Sequence, residues 1–138
     1  MLSCSAVYPR RMITAIHTLI YSDDPQATRA FLRDVLELKN LEFGEGSGWL
    51  IFKTGPSELG VHPTHSEYEG KIYDLPRHHS ISLMCENLEE TVAKLRAQGA
   101  QFNGEIVDHG YGPLIMLNLP GAGEIQLYQP NHALAINL

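Results

Sequence analysis

His17 stands inside an apolar run, "MITAIHTLIYS", just ahead of a helix-start signal at Asp24-Pro25. A second apolar run, "HHSISLMCE", opens on His78 and His79, just ahead of Asn87. Imidazole titrates near neutral pH and ligates metal ions. A histidine repeated at the same place in two similar stretches therefore raises the question of a shared site. The alternative is a hydrogen-bonded histidine with no metal. Two glutamates open later strand-like runs, Glu58 in "SELGVHP" and Glu124 in "GEIQLYQP". For them the plain alternative is a solvated carboxylate.

The elements that must position these residues read as one unit written twice. Asp24 suits an N-cap and Pro25 the first helical position. Ala27, Ala30, Phe31 and Val35 then follow helical spacing. "GEGSG" breaks the chain before "WLIFKTG", a turn at Gly55-Pro56, and "SELGVHP". In the second half, Asn87 caps a helix with Glu90 completing a capping box, Leu88, Val92 and Leu95 form its apolar stripe, and Gly99 ends it. "GEIVDHG", "LIMLNLP", a "GAG" turn and "GEIQLYQP" follow as strands. Thr28, Ala30, Leu32 and Arg33 match Thr91, Ala93, Leu95 and Arg96 at one constant offset. The order is strand, helix and about three strands, twice.

Composition bounds the function. The chain has 138 residues, a single domain's length with room for a core. Its formal net charge is −6, which argues against a nucleic-acid binder with a basic face. No apolar run approaches the roughly 20 residues of a membrane span. Two cysteines, Cys4 and Cys85, give no disulfide framework, so a reducing, cytoplasmic setting is expected. Cys85 shares parity with Ile81 and Leu83 and reads as a small core residue. Residues 1–11 read as a flexible N-terminal tail.

The stretches "HTLIYSDDPQATRAFLRDVLEL", "ENLEETVAKLRAQGA" and "LPGAGEIQLYQP", in this order, resemble the vicinal oxygen chelate superfamily, also called the glyoxalase/bleomycin-resistance/dioxygenase superfamily. The likeness runs from Met12 to Asn131. It implies an α+β fold with two βαβββ modules in one chain, whose curved mixed sheets form a cup-shaped cavity. The single domain would span 12–138, with module one at about 12–63, a linker at about 64–77 and module two at about 78–131. A homodimer is common in the family.

The resemblance also implies a divalent metal ion held by a histidine on the first strand and a glutamate on the last strand of each module. Carried over, the ligands are His17, Glu58, His79 and Glu124. That set suits Zn, Ni, Co, Fe or Mn. Glu58 or Glu124 would leave the metal to act as general base. His62, which shares Glu58's face by parity, joins His78, Gln126 and Tyr128 as substrate-binding candidates. Two departures stand out. The helix offset pairs His17 with Ser80, not His79, and strict alternation aims His78, Ser80, Ser82 and Met84 at the cavity. At the chain's end, Gln126 occupies the place before Leu127 where the family has glutamate, and Glu124 lies two residues earlier on the same face. The "DHGYGPL" loop, with Tyr111, reads as a cavity rim or an ordinary hairpin connection.

Two functions follow as expectations. One is a divalent-metal enzyme acting on a small oxygenated substrate, of isomerase, lyase or epimerase type, or a dioxygenase. The other is a metal-free small-molecule or drug-binding protein, which the Ser80 and Gln126 departures favour.

Overall fold

The computed structural model describes residues 17–61 and 63–137, so the tail expected over 1–11 and the substrate candidate His62 lie outside it. Helix α1 spans Pro25–Asp34 and helix α2 spans Leu88–Ala97. Each begins where the sequence reading places it. The Ala27 N–H donates to Asp24 Oδ1 (3.1 Å), and the Glu90 N–H donates to Asn87 Oδ1 (3.1 Å). Each bond satisfies one backbone donor that a helix start leaves unpaired.

Strands β1 (Asn40–Glu42) and β2 (Leu50–Phe52) form an antiparallel hairpin. A second hairpin joins β3 (His65–Tyr68) to β4 (Lys71–Asp74). The main sheet contains β5 (Ser82–Met84), β6 (Phe102–Asp108), β7 (Pro113–Leu119) and β8 (Gly123–Tyr128), in the order β5-β8-β7-β6. Within it β5 runs parallel to β8, and the other neighbours are antiparallel. A short 3-10 turn at Ala135–Asn137 follows. The fold is α+β.

Alternation along β7 and β8 builds the core. Ile115, Leu117, Leu119, Ile125 and Leu127 pack with Leu88, Val92 and Leu95 of α2 and with Phe31 of α1. Both helices thus cover one face of the sheet, a two-layer arrangement. The start of α1 is tied to the β7–β8 turn. The Asp23 N–H donates to Gly121 O (2.8 Å), and buried Thr28 donates its hydroxyl to Pro120 O. A Cβ on Gly121 would lie 2.7 Å from Ser22 Oγ and 2.9 Å from the Asp24 nitrogen, so this approach requires glycine.

The first half of the chain departs from expectation. His17–Ser22 and Ser57–Val61, read as the outer strands of the first unit, carry no strand. Pro56, Gly60 and Pro63 punctuate the second of these, and each weakens a ladder. The linker, where no element was expected, instead forms β3 and β4. Glu69 and Gly70 turn this hairpin with φ of 51° and 76°. Two successive positive φ values match the right-handed twist of the flanking strands. Among the described residues, no helix is long and apolar enough to cross a membrane.

Candidate functional site

The alternation that buries Ile125 and Leu127 turns Glu124, Gln126 and Tyr128 to the other face of β8. Parallel pairing sets Ser82 opposite Gln126, and Gln126 Nε2 donates to Ser82 Oγ (3.2 Å). On the opposite flank the Tyr111 hydroxyl donates to Gln126 Oε1 (2.9 Å). The loop carrying Tyr111 is held firmly. Asp108 Oδ1 accepts from the N–H groups of Gly110 (2.7 Å) and Gly112 (3.3 Å), and Asn131 N–H donates to Tyr111 O (3.1 Å). Gly112 has φ 126°, and a Cβ there would fall 1.9 Å from Gln129 O.

A hollow of about 440 Å³ opens where β5 and β8 begin. That volume lies within the range of small-molecule sites. Its polar wall comprises His79, Ser80, Ser82, Glu124 and Gln126. Its apolar wall includes Ile20, Tyr21, Ile81, Met116 and Ile125. Both His79 and Ser80 reach it because β5 begins only at Ser82, so strand alternation does not yet bind them.

The ligand candidates fall in different places. His79 and Glu124 share the hollow, and Glu124 Oε2 accepts from Asn103 Nδ2 (2.8 Å). His17 is exposed and does not line it. Glu58 holds the C-terminal segment: its Oε2 accepts from Ala135 N–H (2.8 Å) and its Oε1 lies 4.0 Å from His132 Nε2. The exposed His78 places Nδ1 2.6 Å from Pro76 O, away from the hollow. The Tyr128 hydroxyl lies 3.2 Å from His132 Nε2, and its ring meets Tyr111 edge-on at 5.6 Å. Burial, with the charges of Glu58 and Tyr111, pushes the Tyr128 phenol above its usual range. Cys85 packs against the core, and burial likewise raises its thiol.

Among the described residues, the donor chemistry of a single chain does not fit a three- or four-ligand metal ion. Among the described residues, no three His, Cys, Asp or Glu side chains gather around one point. The hollow offers two, and between its strands stands Gln126, a neutral carboxamide whose oxygen and nitrogen both have protein partners. His132, whose turn-like sequence reads as surface, is exposed, but its contacts with Tyr128 and Glu58 were not foreseen. Sequence reasoning also missed Ile20, Tyr21 and Met116 as lining. Met116 was legible from its alternation with the buried Ile115 and Leu117.

The family model for the Glyoxalase/Bleomycin resistance protein/Dioxygenase superfamily matches residues 14–125. A comparison with curated proteins gave no match. Among solved structures, the chain is similar to a lactoylglutathione lyase from Agrobacterium tumefaciens, with a TM-score of 0.55 and 17% identity over 86% of this chain and 96% of that one. It is similar to TnmS3, an antibiotic binding protein from Streptomyces sp. CB03234, with a TM-score of 0.53 and 16% identity over 88% of this chain and 100% of that one. It is also similar to FosX, a genomically encoded fosfomycin resistance protein from Listeria monocytogenes, with a TM-score of 0.52 and 16% identity over 92% and 98%. These likenesses concern the fold. With the family model spanning most of the sequence, the chain belongs to the glyoxalase/bleomycin resistance protein/dioxygenase superfamily.

Proposed function

We propose that the chain is a small-molecule binding protein that holds its ligand in the hollow at the start of β5 and β8, without a metal ion. The observation that carries this reading is Gln126, fixed between Tyr111 and Ser82. A carboxamide does not titrate and is outside the usual Cys, His, Asp and Glu ligand set of zinc, yet it orients a ligand by hydrogen bonds. The mixed wall fits a ligand with an apolar body and a few polar atoms. The antibiotic binding protein TnmS3, similar in fold, is a precedent for binding.

A second reading rests on His79 and Glu124 sharing the hollow. In it the protein is a metal-dependent enzyme of isomerase, lyase, epimerase or dioxygenase type, with His17, Glu58, His79 and Glu124 as the metal set and Glu58 or Glu124 as base. That set then requires a homodimer in which a second copy completes each site. Leu41, Phe43, Trp49, Leu59 and Val61, all exposed in the single chain, support such a partner. A cytoplasmic setting suits either reading.

Elemental mass spectrometry on untagged protein, wild type beside His17→Ala, separates the two. Metal well below stoichiometry, with a thermal shift on small apolar ligands, is the expected result. Near-stoichiometric metal that disappears in His17→Ala overturns the binding reading in favour of the enzyme.

A further inference from the structure

We infer that the Tyr111–Gln126–Ser82 row is an amide reader: it selects a ligand whose edge places an N–H donor beside a carbonyl acceptor, as in a lactam. This rests on the binding reading and names the ligand chemistry of the same hollow.

The argument is one of hydrogen-bond capacity. A carboxamide has two N–H groups and two oxygen lone pairs. One N–H of Gln126 goes to Ser82 Oγ at 3.2 Å, and one lone pair takes the Tyr111 hydroxyl at 2.9 Å. No other described residue takes the remainder, so one N–H and one lone pair stay available. The two partners approach from opposite flanks, Ser82 from β5 and Tyr111 from the β6–β7 loop. The amide is therefore held by its ends, and with either assignment of its oxygen and nitrogen it keeps one donor and one acceptor. A carboxamide in that state pairs in bidentate fashion with a donor–acceptor edge, as glutamine does with adenine.

Preorganisation strengthens the selection. The backbone at Tyr111 is held, because Asp108 ties the glycines on both sides of it and Asn131 donates to its carbonyl. The ring of Tyr128 meets it edge-on. A fixed polar pair discriminates against ligands that leave it unmatched, since an unpaired group loses its water without compensation. Beside the pair, Met116, directly opposite Gln126 on β7, supplies apolar surface for a flat ring. Among the described residues, both bonds to Gln126 come from neutral hydroxyls, and the nearby carboxylate of Glu124 in the same hollow disfavours an acid.

The test uses the full chain, ¹⁵N-labelled, titrated with three probes of similar shape: 2-quinolinone, N-methyl-2-quinolinone and naphthalene. The lactam is expected to shift the Gln126 side-chain amide and the Ser80 and Ser82 backbone signals, and to bind about tenfold tighter than the N-methyl probe. In Gln126→Leu the two should bind within about twofold of each other. Tyr111→Phe, a milder change in case the first variant misfolds, should narrow the difference to about threefold. If all three probes bind the hollow equally in the wild type, the amide reader is overturned and the binding reading stands. If none shifts a residue of the hollow, both fall.

Discussion

Gly112 shows most directly how one residue holds the site. Its φ of 126° suits glycine alone, and a methyl group would run into Gln129 O. Gly112→Ala is expected to cost about 3 kcal/mol or more in urea unfolding, and to loosen Tyr111. Cys85 carries a different expectation. Its thiol is raised by burial, so folding favours the protonated form. The sign follows: this contribution is whole below about pH 8.5, and it drains away as pH climbs through the folded-state value. Peptide-resolved alkylation at pH 7.5 should label Cys85 about tenfold more slowly in the native chain than in urea. The core assignment of Cys85 was legible from parity alone, and so was the shared face of Ser82 and Gln126. The roles of Glu58 and His132 were not, because they arise from a contact between segments far apart in the chain that follow no common period.

At the scale of elements, caps were the most readable signals. Both Asp24 and Asn87 act where the sequence places them, because a cap is a local bond between residues three apart. Asn87→Ala should lower stability by about 1 kcal/mol, with Asp24→Ala close behind, measured by denaturant midpoint. Strands were read less evenly. The second unit matched its expected order, since β7 and β8 alternate cleanly between core and open face. The described parts of the first unit's outer runs carry no strand, and apolarity alone does not make a ladder. The β3–β4 hairpin went unread despite its Glu69-Gly70 turn, since its sequence is polar and reads as linker.

At the scale of the whole molecule, the uneven burial of the two halves is the main fact. The core of α2 and the main sheet is dense, with Leu117 fully buried. By contrast Leu59 and Val61 are 82% and 97% exposed. Isolated exposed apolar residues are ordinary, but the first half leaves several exposed, Leu41, Phe43, Trp49, Leu59 and Val61 among them, which supports the second copy that the enzyme reading requires. Sedimentation at micromolar concentration should therefore show a dimer, and a Leu59→Asp/Val61→Asp double variant should shift it toward monomer. A wild type that stays monomeric would remove the basis for a site shared between copies.

The parallel pairing of β5 with β8 has a consequence for how the chain is made. Its two partners, Ser82 and Gln126, are separated by a helix and two further strands. During synthesis β5 leaves the ribosome early and waits, edge unpaired, for the last strand to emerge. Contacts of such sequence separation slow folding. The hollow therefore does not exist on the nascent chain until β8 is free of the exit tunnel.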